Sequence, residues 1–292
     1  MEKAKVYFTS EVSQESLVKM YEALGVELPG PVAVKLHSGE KGNKNYLRPE
    51  FVEALVKRVN GTVVECNTAY PGARNTTEKH KKLMDEHEWT KYFDVDIMDA
   101  EGPDMELDIP NGIQIQKNYV GKNLANYKSM LVLSHFKGHA MGGFGGALKQ
   151  LSIGCASSYG KAYIHGAGDP SQDMFKTDQL QFVTSMGDAA SSVHKYFNGN
   201  IVYINAMVNI SIDCDCDGNA SAPCMKNIGI LASTDPVAID QACIDIVYNS
   251  QDEGKDKLIA RIEEKLGTHI IEVAEKNGAG TREYELINVD EK

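Results

Sequence analysis

Short apolar or alternating runs take turns with amphipathic stretches along the chain. "KAKVYFTS" predicts a strand and "QESLVKMYEALG" a helix ending at Gly25. "GPVAVKLHS" reads as a strand, and "RPEFVEALVKRVNG" as a helix with Pro at its start and Gly at its end. "TVVECN", "TTEKHKKLMDEHEW" and "FDVDIMD" continue the series as strand, helix and strand. "YKSMLVLSHF" is apolar nearly throughout, as a strand covered on both faces would be. A glycine-rich stretch follows, then a long helix over "TDQLQFVTSMGDAASSVHKYF", a strand over "NIVYINAMVNISID" and a short strand over "IGILAS". "DPVAIDQACIDIVYN" and "KDKLIARIEEKLG" close the series as amphipathic helices. This alternation predicts an α/β fold: a largely parallel central sheet, flanking helices, and site loops at the strand C-terminal ends.

The 292 residues, 42% hydrophobic, suit one α/β domain over 1–292, or two interlocked lobes, with an irregular insertion at about 99–127. A net charge of −11 and a pI of about 5.2 argue against nucleic acid or an anionic membrane surface as partner. The N-terminus lacks the apolar core of a signal peptide, and the longest apolar runs are too short to span a bilayer. The expectation is a cytoplasmic protein, where six cysteines serve metal binding, catalysis or packing and not a disulfide framework.

"SIDCDCDGNASAPC", Ser211 to Cys224, carries two signatures. Its D-x-D-x-D-G opening resembles a calcium loop, but the twelfth position, where a bidentate Glu belongs, is Cys224, and a strand pattern precedes it. The thiolate reading fits better. In extended backbone Cys214 and Cys216 point to one face, and Cys224 can fold back through small residues. A closed tetrahedral or cubane site needs a fourth thiolate. Cys66 ends a strand, Cys243 sits in an apolar helix, and Cys155 lies in a small-residue loop without packing pattern, which makes Cys155 the choice.

Other polar stretches also follow predicted strands. His135 and His139 flank "FKG", and Gly142, Gly143, Gly145 and Gly146 allow close backbone approach to a ligand. The helix-like "GALKQL" after them offers free N–H groups to an anion, and Lys149 and Lys161 lie on either side of Cys155. "KLHSGEKGN" contributes Lys35, His37, Glu40 and Asn43, with His37 and Glu40 as an acid–base pair. Arg74 suits a carboxylate or phosphate.

"VKLHSGEKGN", "LSHFKGHAMGGFGGALKQLSIGCAS" and "CDCDG…IGILASTDPVAIDQAC" together resemble the uncharacterised Fe–S centre protein family, domain of unknown function 362 (DUF362), over nearly the whole chain. The resemblance implies an iron–sulfur protein of the kind found mostly in anaerobes, and it matches Cys155, Cys214 and Cys216 to the family's cysteines. This chain lacks the C-x₂-C-x₂-C insert of some members, so a cluster must use scattered cysteines. "FGGALK" with the two histidines is also similar to the stretch that holds a nickel–pincer cofactor in lactate racemases.

The expectation is therefore a [4Fe–4S] cluster on Cys155, Cys214, Cys216 and Cys224. Its reduction potential would be low, because three aspartates surround it. The protein would be an oxidoreductase acting on a small anionic substrate. Its catalytic set would be His37, Glu40, His135, His139 and Lys149, and its substrate-binding set Lys35, Asn43, Arg74, Lys161 and the four glycines. A ferredoxin or flavodoxin would be the redox partner and a homodimer the assembly. The alternatives are a non-redox racemase- or isomerase-like enzyme with zinc or nickel, and an electron-transfer protein without substrate.

Overall fold

The structure, a computed structural model, describes residues 3–290. The strands are β1 (Ala4–Thr9), β2 (Val32–Lys35), β3 (Gly61–Glu65), β4 (Val95–Ile97), β5 (Met105–Asp108), β6 (Lys117–Val120), β7 (Ser129–His135), β8 (Lys137–His139), β9 (Gly143–Gly145), β10 (Ile201–Met207), β11 (Gly229–Ser233) and β12 (Tyr284–Asn288). The helices are α1 (Gln14–Ala23), α2 (Pro49–Arg58), α3 (Thr77–Glu86), α4 (Trp89–Tyr92), α5 (Ala147–Lys149), α6 (Ser158–His165), α7 (Gln179–Tyr196), α8 (Pro236–Asn249), α9 (Lys255–Glu264) and α10 (His269–Lys276).

Eight strands form one sheet in the order β12-β1-β11-β10-β7-β2-β3-β4, in which β11 runs antiparallel to both neighbours and the other pairs are parallel. The two-residue period of a strand sends alternate side chains to opposite faces. Met130 and Val132 of β7 therefore join the core beneath α6, α7, α8 and α10, while Leu131 and Leu133 join the one beneath α1 and α2. That double burial is why β7 reads as a continuous apolar run. Within 99–127, β5 and β6 pair as a separate antiparallel ribbon.

Because β2, β3, β7 and β10 are mutually parallel, the loops that leave their C-terminal ends share one edge of the sheet. The structure departs from the sequence expectation at β10. The strand ends at Met207, since Asn209 takes a left-handed backbone (φ 46°) that no strand continues through. Cys214 and Cys216 thus lie in a turn, closed by Asp217 N–H donating to Cys214 O at 3.0 Å, and not in extended chain.

No helix among the described residues is long and apolar enough to cross a membrane.

The interior holds several buried histidines. Burial pushes His80 down to about 3 and His194 down to about 4. The unfolded chain binds these protons near pH 6.5 and the folded chain does not, so stability is complete above that pH and is lost as pH falls toward 4. Asp240, pushed up to about 6 by burial, acts in the opposite sense over part of the window. The histidines outnumber it. The expected net effect is a loss of about 1–2 kcal/mol per histidine at pH 5 relative to pH 7.5. Denaturant melts at the two pH values test this, and equal stability would refute it.

Candidate metal centre and cavity

The turn carrying the cysteines is held from two sides. Asn43 Nδ2 donates to Cys214 O (3.3 Å) and Asp217 O (2.8 Å), and Glu40 N–H donates to Asp215 O at 2.8 Å. The crossing is close: a Cβ on Gly42, whose φ is +91°, would stand 2.8 Å from Gly218 O. Beneath the turn, Asp215 is buried with its carboxylate on His135 Nδ1 (2.9 Å) and Lys137 Nζ (2.6 Å). Burial alone would push that carboxyl up, but the adjacent His135 and Lys137 outweigh it and hold it well below the carboxylate range.

This locking brings Cys214 Sγ, Cys216 Sγ and a ring nitrogen of His139 within 4.8 Å of one another. Cys216 Sγ lies 3.7 Å from His139 Nε2, and Lys149 Nζ lies 3.8 Å from Cys214 Sγ. The hydrogen bond with Cys216, and then Lys149, Lys137 and His139, hold the Cys214 thiol well below its usual range. The same hydrogen bond and burial push the Cys216 thiol up.

Two thiolates and an imidazole at this spacing match the donor set of a soft divalent ion, where neighbouring ligands of a tetrahedron stand roughly 3.5–4 Å apart for bonds of about 2.0–2.3 Å. Three protein ligands would leave one position open, the arrangement of a catalytic and not a structural site. His139 adds a condition. Its Nδ1 accepts from Gly142 N–H (2.9 Å) and Met141 N–H (3.2 Å), so the neutral ring carries its proton on Nε2, aimed at Cys216. The cysteines are ready ligands once ionised, whereas His139 Nε2 would ligate only if its proton moved to Nδ1, which requires the Gly142 and Met141 N–H contacts there to open.

Cys216 and His139 line a cavity of about 260 Å³. Its wall also holds His37, Arg74, Lys149, Gln150, Lys161 and His165, with Tyr70, Met141, Ile153, Met174 and Phe175 as apolar surface.

Several expected residues stand elsewhere or do other work. Cys155 does not join the Cys214–Cys216 group. It is buried beside Cys66, whose thiol donates to Cys155 O at 3.4 Å, and burial pushes its own thiol up to about 11. Cys224 also lies apart, its Sγ donating to Ile210 O at 3.4 Å. The four thiols expected to share a cluster therefore do not meet.

The aspartates do not surround the thiols with negative charge. Asp213 pairs with Arg261 and Ser221, Asp215 with His135 and the Lys137 ammonium, and Asp217 caps Asn219 N–H. Lys149 faces the sulfur instead, its Nζ 3.8 Å from Cys214 Sγ, which removes the basis for a low potential.

His135 has both ring nitrogens on oxygens, Asp215 and Val208 O (2.6 Å), and serves as a strut. Glu40 bonds Arg74 Nε at 3.1 Å and does not pair with His37, whose Nδ1 accepts from Gly39 N–H. Lys35 spends its three donors on Leu36 O, Glu65 and Gln150, leaving none for a ligand, and Asn43 is the pin described above. The glycines form the β8–β9 hairpin and its exit, and none of Gly142, Gly143, Gly145 and Gly146 lines the cavity. The N–H groups after them are taken: Ala147 and Leu148 donate to the buried Asp240 at 2.8 and 2.9 Å, so no anion can bind there. Lys149, Lys161, Arg74, His37 and His139 do face the cavity.

Sequence reasoning missed His165 and Glu65, and left Cys66 undecided. All three line the cavity. The four-residue spacing of Lys161 and His165, which puts both on one helix face, was the available signal.

A family profile described as "Domain of unknown function (DUF362)" matches residues 32–245. A comparison with curated proteins finds no match. Among solved structures, the lactate racemase apoprotein from Thermoanaerobacterium thermosaccharolyticum is similar at 12% identity and a TM-score of 0.48, over 82% of this chain and 56% of that one. A structural-genomics target from Thermotoga maritima is similar at 10% identity and a TM-score of 0.44, over 90% of this chain and 58% of that one. The chain thus spans a little over half the length of each of these two structures.

Proposed function

Because the chain belongs to the DUF362 family, a domain of unknown function, we propose its activity from the site itself: a metal-dependent enzyme that binds one soft ion through Cys214 and Cys216, with His139 beside them, and acts on a small anion in the adjoining cavity. The observation that supports this reading is the approach of the three donor atoms to within 4.8 Å of one another, two of them, on Cys216 and His139, belonging to residues that line a cavity also walled by Lys149 and Arg74. A bound ion would supply Lewis-acid polarisation of a substrate oxygen. Lys149 and Arg74 attract the anion, Arg74 with its orientation fixed by Glu40 and by the Tyr70 hydroxyl at 3.1 Å. His139 Nε2 and His37 are the proton-carrying groups within the cavity wall. Both rings are held neutral at pH 7, burial being the main cause in each.

An iron–sulfur cluster is the second reading. It is favoured by one observation, that Cys66 lines the same cavity as Cys216 and would supply a third thiolate. Under that reading the enzyme is an oxidoreductase served by a redox partner. Anaerobic purification with elemental and acid-labile sulfide analysis separates the two. Zinc, nickel or another single ion at about one per chain without sulfide supports the first reading. Iron with stoichiometric sulfide, abolished by Cys66→Ser, supports the second. Cys224→Ser is expected to leave metal content unchanged under both, and a chain with neither metal nor cluster after reconstitution would sink both.

A further inference from the structure

The cavity has a second polar region that the metal reading does not use. Lys161 and His165 lie four apart on α6, so one helix face presents both, and both line the cavity. Lys161 is buried, and its Nζ donates to Ala156 O at 2.6 Å. Among the described residues that carbonyl is its one hydrogen-bond acceptor, although an ammonium has three donors. The nearby carboxylates are already engaged: Glu65 by Lys35 and Ser38, Asp99 by the Asn67 and Ser158 backbone N–H groups. Next to it, His165 is buried and stacked on Phe182, and its Nδ1 has no partner among the described residues. A buried cation with spare donors and a buried ring nitrogen without a partner, on two residues that line one cavity, are both costly unless a ligand satisfies them.

The rest of this part of the wall is apolar. Ile153, Met174 and Phe175 face the cavity, and Phe175 is 74% exposed at its rim. At roughly 30 Å³ per water, a cavity of about 260 Å³ displaces about nine waters, which matches a ligand of about ten heavy atoms.

We infer that Lys161 and His165 form a carboxylate subsite, and that the cavity takes a monocarboxylic acid whose branched or aromatic body lies against Ile153, Met174 and Phe175. This deepens the proposal of a small anionic substrate by naming its chemical class. Burial lowers the Lys161 amine from its usual range, the response of a cation that lacks a counter-charge and that a bound carboxylate would provide. His165 lines the same cavity as Lys161, His139 and Lys149. A carboxylate anchored at Lys161 therefore directs the remainder of the molecule along the cavity that Cys216 also lines.

The test is calorimetric titration with 3-phenylpropanoate, its neutral isostere 3-phenylpropanamide, and acetate. The acid is expected to bind, with the amide and acetate each at least about tenfold weaker. Lys161→Met should weaken the acid at least about tenfold while leaving metal content and melting temperature near wild type. Equal binding of acid and amide, unchanged affinity in Lys161→Met, or no binding of the acid overturns the inference. Cys214→Ser/Cys216→Ser keeps the two readings apart. Acid binding retained in that metal-free variant supports the subsite, and acid binding lost with the metal overturns it. A wild-type protein that binds the acid but no metal sinks the metal reading alone.

Discussion

Asp215→Ala is expected to destabilise the protein by about 3–5 kcal/mol, the range for removing one partner of a buried ion pair. The side chain is 1% exposed, and its two oxygens receive His135 Nδ1 at 2.9 Å and Lys137 Nζ at 2.6 Å. Truncation leaves the Lys137 ammonium, 4% exposed, buried without its carboxylate. Much of the loss comes from the stranded cation, so Asp215→Ala/Lys137→Met should recover a large part of it. A double-mutant cycle by urea denaturation measures the coupling. A single variant within about 1 kcal/mol of wild type, below the usual range for buried pairs, would mean that this network does not hold the turn. The consequence reaches the site, because Asp215 lies between the two cysteines. Once it is loose, Cys214 and Cys216 lose their common orientation.

The placement of helices and strands was legible because most of it follows from period. β7 buries Met130 and Val132 on one side and Leu131 and Leu133 on the other, so its unbroken apolar run has a single explanation. The convergence of the polar loops was legible too, since parallel strands deliver their C-terminal ends to one edge. Within that edge, however, sequence could not rank the cysteines. Cys66 and Cys155 meet across 89 positions, through the exit of β3 and a π-helical turn, Gln150–Gly154, that no local pattern announces. Cys155 looked unpacked because its neighbours are small, yet it is fully buried. The early end of β10 was hidden for a related reason. "VNISID" keeps a strand-like alternation, and the left-handed backbone at Asn209 decides the matter. The aspartates of "DCDCDG" misled by type: their electrostatic meaning depends on partners at Arg261, His135 and Lys137, none of them close in sequence.

The metal reading makes its sharpest claim in the order of five substitutions. Cys214→Ser and Cys216→Ser should each lower metal affinity by at least about a hundredfold, since each removes a soft anionic ligand, and changes to residues that only hydrogen-bond to a ligand already cost about 10–100-fold. His139→Gln should fall in that 10–100-fold band, because its Nε2 proton competes with ligation while its contact with Cys216 orients that sulfur. Cys155→Ser and Cys224→Ser should change nothing, as their sulfurs do not join the group. Competition with a chromophoric chelator gives the affinities, and thermal melts give an independent reading. An ion that binds the folded chain alone adds about 2.7 kcal/mol at a hundredfold excess over Kd. The melting temperature should therefore rise with added metal in wild type and Cys224→Ser and stay flat in Cys214→Ser. If Cys155→Ser lost the metal as completely as Cys214→Ser, the pairing of Cys214 with Cys216 would not be the centre of the site, and a cluster spanning the cavity would take its place.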